Sequence, residues 1–211
     1  MPILIGQIMN ETLFYNSVRK VFFKGKISTG AFNTIQKILS ECRERKVYDY
    51  RHIAYILATG YYESYHATKN PNWDPIREGW AKTNQGAIAA VKSLYNKGGI
   101  PVDYAIPKSN GLSYYGRGWV QLTWEQNYIE AGRLYGINLH KNPDLALDRN
   151  IAALLLVGGM AEGWFTGVSL SDYITTQNTD FLNARRVVNG KDRAKLISDY
   201  AHNFYNAMIQ L

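Results

Sequence analysis

Apolar residues recur every three or four positions along most of this chain, the spacing that puts them on one face of a helix. The pattern predicts a helix over 9–24, with Leu13, Val18, Val21 and Phe22 inward. A second begins at a Ser28 or Thr29 cap, carries Phe32, Ile35, Ile38 and Leu39, and ends near Lys46. A third spans about 49–66, its stripe formed by Ile53, Ile56, Leu57, Gly60 and Tyr61, with Gly60 admitting a close helix contact. A short amphipathic helix over 85–96 stops at Gly98-Gly99, and another over 124–135 turns Tyr128, Ala131 and Leu134 inward. The most hydrophobic stretch, 151–165, is capped by Asp148 and reads as the central core helix. Thr179 caps a short helix through Phe181, Ala184 and Val187 that stops at Asn189-Gly190. Asp192 caps the last helix, striped by Leu196, Ile197, Tyr200, Ala201, Phe204, Ala207 and Met208. One segment breaks the period: Val120, Leu122 and Trp124 alternate with Gln121 and Thr123, which predicts a short strand with one polar face. The fold class expected is therefore mainly α with one small β element.

Composition adds little to that and excludes a good deal. With 211 residues, 46% hydrophobic and 19% charged, the chain has the balance of a globular protein. The single cysteine, Cys42, rules out an intrachain disulfide and a Cys/His metal cluster. No basic start followed by a long apolar run opens the sequence, so no secretory signal is expected. No segment reaches the roughly 18 apolar residues of a membrane span, so no stable membrane insertion is expected. The net charge of +7 suits an anionic partner. Lys and Arg are scattered rather than gathered on a stripe, which argues against nucleic acid. Sixteen tyrosines and five tryptophans suggest a cleft where apolar and wet surfaces meet.

The richest stretch for chemistry is 114–128, YYGRGWVQLTWEQNY. Its amide, hydroxyl and aromatic groups suit a sugar ring, with Gln121 and Thr123 on the polar face and Arg117 and Asn127 near its ends. The alternative is a Gly-bounded edge strand with surface tyrosines. Upstream, Glu63 stands at the end of the third helix among Tyr61, Tyr62, Tyr65 and His66. The negative end of the helix dipole and desolvation both favour a protonated carboxyl there, as a general acid requires. The loop that follows offers Asp74 and Glu78 as a second carboxylate, with Arg77 between them. His66 either orients a catalytic group or caps the helix end.

These residues resemble glycoside hydrolase family 19, the lysozyme-like chitinases and their phage endolysin relatives. The stretch 114–128 is similar to the family signature, YYESYH to the segment with the catalytic acid, and PIREGW to the segment with the second carboxylate. NPDLALD, GGMAEGWFTG and ARRVVNGKDRAKLI resemble the C-terminal half of the phage members. The resemblance implies a lysozyme-like α-helical domain with a small β element beside the cleft. The whole of 1–211 would be one catalytic domain, its core at about 50–205 and the helices of 1–45 packed on it. It further implies Glu63 as general acid, Glu78 as general base and Thr123 as the hydroxyl that holds the nucleophilic water. Tyr115, Arg117, Gln121, Asn127 and Asn189 fall on substrate-binding positions. Arg186 is either a further cleft residue or an ion-pair partner, and Asp74 stands as a substitute for Glu78. No metal or cofactor is implied. Inversion is, and with it a carboxyl separation of roughly 6.5–9.5 Å or slightly more.

Peptidoglycan and chitin both carry β-1,4-linked N-acetylglucosamine, so the carboxylate pair does not separate them. The net charge, the apparent lack of a signal and the absence of chitin-binding cysteine modules favour peptidoglycan strands over chitin oligosaccharides. The expectation is a monomeric endolysin, made in the bacterial cytoplasm and released to the wall by a holin. Rival readings are a wall-binding module on an inactive scaffold and a lytic transglycosylase that works with one carboxylic acid.

Overall fold

The computed structural model describes residues 9–210. Among the described residues seven α-helices run in the order α1 (Glu11–Phe22), α2 (Thr29–Glu44), α3 (Tyr50–Ser64), α4 (Asn84–Asn96), α5 (Glu125–Tyr135), α6 (Arg149–Glu162) and α7 (Ala194–Met208). Two strands, β1 (Ile76–Arg77) and β2 (Arg117–Gly118), pair antiparallel, with Ile76 opposite Gly118 and Arg77 opposite Arg117. The mainly α, lysozyme-like class with a small β element is what the sequence predicts.

The helices start where short polar side chains can accept from free backbone N–H groups. Asn10 accepts from Leu13, Ser28 from Ala31, Asp49 from Arg51, Thr83 from Gly86, and Asp148 from Asn150 and Ile151. The last helix departs from expectation. Arg193, in the left-handed conformation at φ 57°, precedes α7 without a side-chain cap, so Asp192 does not cap it. The segment after Thr179 forms only a 3-10 turn, Asn183–Val187, held by Asp180 accepting from the Asn183 N–H.

The hub is α3 rather than α6. Every residue from Ile53 to Gly60 is buried, and α3 packs against α7, α6 and α2. A Cβ on Gly60 would come within 3.0 Å of Leu156 Cδ2, the close helix approach predicted for it. On α1 the inward stripe is Phe14, Val18 and Phe22, while Val21 is 55% exposed. Leu134 and Leu196 also face outward. Phe32 of α2 is exposed as well, and the predicted α1 stripe omits the buried Phe14. Among the described residues no helix is long and apolar enough to cross a membrane.

The predicted strand 120–124 does not form. Positive φ at Gly118 (84°) and Gln121 (53°) turns the chain back so that Arg117 and Leu122 exchange backbone hydrogen bonds of 3.2 and 2.9 Å. Gly118 is required for a second reason: a Cβ there would lie 2.8 Å from the Ala146 carbonyl oxygen. The turn buries Val120 and Leu122 but leaves Trp124 47% exposed, at φ 75°.

Candidate active site

Burial of α3 delivers Glu63 to the edge of the core one residue before the helix ends. The free carbonyls of that last turn are satisfied by side chains from the following loop. Trp80 Nε1 and Asn70 Nδ2 donate to the Ser64 carbonyl at 3.1 and 3.0 Å, and Trp73 Nε1 donates to the Gly60 carbonyl at 3.1 Å. The loop is thereby tied to the helix end. The indole of Trp80 becomes one wall of a cleft of about 300 Å³, lined also by Glu63, Glu78, Gln121 and Thr123. Ala90 and Leu94 of α4 add an apolar part to the lining, which the sequence pattern did not reveal.

The Glu63 carboxyl is 17% exposed, and the buried guanidinium of Arg185 lies 2.8 Å from its Oε1. Burial pushes its pKa above the ordinary carboxylate range; Arg185 opposes the rise, while the negative charges of Asp192 and Glu78 add to it. The tyrosine wall expected around it is partial. Tyr61 and Tyr65 stack on each other at 4.6 Å and pack against Phe23, leaving Tyr62 beside Arg185.

Glu78 opens the turn after β1 and is held from two sides. Its backbone N–H donates to the Gly116 carbonyl at 2.8 Å, and its Oε2 accepts from the Gly116 N–H at 2.8 Å. Its Oε1 accepts from the Tyr104 hydroxyl. Burial, reinforced by the Glu78 hydrogen bond and charge, raises the Tyr104 phenol well above its usual pKa, so it remains a donor. Gln121 is fixed through Nε2, which donates to the Gly118 and Ile76 carbonyls at 2.9 and 3.2 Å. Thr123 Oγ1 donates to the Gln121 carbonyl at 2.8 Å. All three polar groups converge over Gly116. A Cβ there would stand 2.9 Å from both Gln121 Oε1 and Glu78 Oε2, and 3.3 Å from Thr123 Oγ1.

Several predicted site residues sit elsewhere. Arg117 is 2% exposed: its guanidinium binds Asp144 Oδ1 at 2.8 Å and the Ser113 carbonyl at 3.0 Å, and lies 3.6 Å over the Tyr115 ring. Tyr115 is fully buried, with its hydroxyl donating to Asn84. Neither can touch a ligand; together they brace the β1–β2 pair from behind. Asp74 pairs with Arg149 rather than lining the cleft, so it does not substitute for Glu78. Asn127 donates to the Thr123 carbonyl at 2.7 Å, tying the first turn of α5 to the turn that carries Thr123. Asn189 is exposed and accepts from the Gly190 N–H. His66 caps the turn after α3: Nδ1 accepts from the Thr68 and Lys69 N–H groups, each at 3.2 Å. The ion-pair role weighed for Arg186 belongs to its neighbour Arg185; Arg186 faces solvent. Among the described residues no group of three or more His, Cys, Asp or Glu is placed to hold a metal ion.

Comparison with known proteins converges on the same cleft. Residues 72–165 match the family model described as chitinase class I. The chain is 36% identical over 72 residues to a basic endochitinase of Vitis vinifera, which covers 32% of this chain and 23% of the relative. It is 38% identical over 71 residues to an endochitinase of Persea americana (31% and 22%). It is 40% identical over 74 residues to the inactive chitinase-like protein 1 of Hevea brasiliensis (35% and 24%). The chain thus spans about a quarter of the length of the curated relatives it matches. Glu78, Gln121 and Thr123 fall inside the family match, while Glu63 and Asn189 lie outside it. Residues 72 to 165 are thus similar to the chitinase class I family, glycoside hydrolase family 19.

Proposed function

We propose that the protein is an inverting glycosidase that cuts β-1,4 bonds of bacterial peptidoglycan, an endolysin of one catalytic domain acting as a monomer. The observation that carries this reading is the pairing in one cleft of a carboxyl driven toward its protonated form, Glu63, with a second carboxyl fixed by two donors, Glu78. Glu63 protonates the leaving glycosidic oxygen. Glu78 takes a proton from a water that attacks the opposite face of the sugar, which calls for carboxyls roughly 6.5–9.5 Å apart. Thr123 suits the positioning of that water. Its own hydrogen is committed to the Gln121 carbonyl, so its oxygen is free to accept from the water while the water donates its other hydrogen to Glu78.

The net charge of +7 favours peptidoglycan, since the wall is anionic and chitin is neutral. On this reading the protein is made in the bacterial cytoplasm and reaches the wall through a holin-type release. A chitinase reading is favoured by the Vitis and Persea relatives, which are endochitinases. The name of the Hevea relative keeps a non-catalytic glycan-binding module in view.

The deciding experiment is mass-spectrometric product analysis on purified peptidoglycan and on chitin oligosaccharides, for the wild type and Glu63→Gln. Muropeptides with new reducing ends that vanish in Glu63→Gln support the endolysin reading. Anhydro ends would indicate a transglycosylase. Cleavage of chitin alone would replace endolysin by chitinase, and no cleavage of either would leave the binding module.

A further inference from the structure

The segment that supplies the Glu63 counterion is itself cationic. Between residues 185 and 195 it carries Arg185, Arg186, Lys191, Arg193 and Lys195 against one acid, Asp192. Their placements differ in kind. Arg185 is buried and turned inward to Glu63. Lys195 pairs with Asp199 one turn along α7. Arg186, Lys191 and Arg193 face solvent, and the one acid near them, Asp192, stands a loose 3.9 Å from Arg193.

This segment reaches the cleft through one contact, Arg185 on Glu63, which lines it. Arg185 Nε donates to the Asp192 carbonyl at 3.1 Å, so the 188–193 loop is clamped to the residue that touches Glu63. The charges of Asp192 and Arg193 both act on Tyr62, the neighbour of Glu63 on α3. A neutral sugar chain offers such cations hydrogen-bond acceptors but no opposite charge. The cations repel one another across the loop, and nothing in the core calls for them. They do match a substrate that presents carboxylates at intervals beside the glycan.

We infer that Arg186, Lys191 and Arg193 form a docking rim for carboxylates on the peptide stems of peptidoglycan, holding the strand so that a glycosidic bond lies under Glu63. The inference rests on the peptidoglycan reading and deepens it. Rim charges of this kind speed capture and orient the polymer, and their effect falls with salt because they are exposed. Discrimination against chitin follows, since chitin has no group to fill the rim.

The test is a triple variant, Arg186→Gln, Lys191→Gln and Arg193→Gln, assayed on three substrates. These are intact peptidoglycan strands, strands stripped of stems by an amidase (which keep only the lactyl carboxylate), and chitin oligosaccharides. The expected result is about a tenfold fall in kcat/KM on intact strands, carried by KM, with a flatter salt dependence. Activity on the stripped strands and on chitin should stay within about twofold. Unchanged kcat/KM on intact strands overturns the rim while leaving the endolysin reading standing. An equal loss on intact and stripped strands also overturns it, by assigning the effect to the glycan's own lactyl group. A wild type that cuts no peptidoglycan removes both the rim and the reading beneath it. All three side chains are exposed, so an unchanged Tm and circular dichroism spectrum are expected, and they separate a docking loss from a folding loss.

Discussion

Arg185 Nη1 lies 2.8 Å from Glu63 Oε1, yet the Glu63 carboxyl is still held above the ordinary carboxylate range. Burial outweighs a contacting cation, so desolvation of the carboxyl decides its protonation more than the ion pair does. The arginine's part is then to orient the acid and to cap the rise. Replacing it by Met removes a charge that lowers the Glu63 pKa, so that pKa should climb further. The alkaline limb of the kcat/KM profile, set by loss of the acid's proton, should move to higher pH, while kcat falls about tenfold or more from lost positioning. A limb that moves to lower pH, or does not move, would be inconsistent with Glu63 as the acid.

The same residue makes a stability prediction of definite sign. A carboxyl with a raised folded pKa binds its proton more tightly in the native than in the unfolded chain. Where the two pKa values bracket the pH, the native state holds more protons, so stability falls as pH rises. Its contribution is therefore full below the unfolded value, roughly 4.3, and is lost as pH climbs through the folded one. Chemical denaturation of the wild type and Glu63→Gln across pH 4 to 8 should show the wild type losing stability relative to the variant as pH rises. Parallel curves would mean that Glu63 titrates normally in the fold.

Gly116 is where Glu78, Gln121 and Thr123 meet, and the room it leaves is nearly nil. A methyl group 2.9 Å from two of these oxygens must displace them by several tenths of an ångström. Gly116→Ala should cost about tenfold or more in kcat/KM, since a shift near 1 Å in reacting groups costs about a hundredfold and this one is several tenths of that. The protein should keep its circular dichroism spectrum, because the crowded atoms are side-chain ends bordering the cleft. An active Gly116→Ala enzyme would show that the three groups do not act together.

Much of this arrangement is legible in the sequence, for reasons that also mark where legibility stops. The helices follow from period and caps, and Asp148, Ser28 and Gly60 do what their chemistry predicts. Glu63 and Glu78 share a cleft because a buried helix ends at one and a loop carries the other. Arg117 was misread because an arginine between glycines looks like a ligand contact. Its burial depends on Asp144, 27 positions away, which periodicity cannot place. Arg185 and Arg186 stand side by side in a 3-10 turn, so which of the two turns inward is decided by tertiary packing alone. Tyr104 sits in a loop without pattern, and its bond to Glu78 spans 26 residues. The alternation from Val120 to Trp124 is genuine, but a positive φ at Gln121 overrides it.

Tyr104 offers a test confined to the base. Tyr104→Phe keeps the ring against Trp124, at 5.2 Å between centroids, and removes one donor to Glu78. A hydrogen bond to a charged group is worth about 1.5–3 kcal/mol, so a fall of roughly 10- to 100-fold in kcat is expected if that energy serves positioning. KM should change little, because the hydroxyl is spent on Glu78. A change in KM alone would instead make Tyr104 a substrate contact.

The last prediction concerns the brace behind the cleft. Asp144 accepts from Arg117 Nε at 2.8 Å and from Arg77 Nη2 at 2.7 Å, which joins both strands to the turn before α6. Burial alone would raise the Asp144 carboxyl, but hydrogen bonds from Arg77 and Arg117 outweigh it and hold its pKa below the ordinary range. A depressed folded pKa means that the stabilisation is present above the unfolded value of roughly 3.9 and is lost as pH falls through the folded one. Asp144→Asn leaves the Arg117 charge buried without its counterion. Breaking a fully buried pair from one side costs about 3–5 kcal/mol; about 2 is expected here, because Asp144 is 34% exposed and the Ser113 and Tyr115 carbonyls still accept from Arg117. Urea unfolding at pH 7 should show this loss, and the gap between variant and wild type should narrow below about pH 4 as Asp144 itself takes up a proton. A loss under 1 kcal/mol, or a gap indifferent to pH, would move the burden of holding β1 against β2 from this ion pair to the backbone ladder.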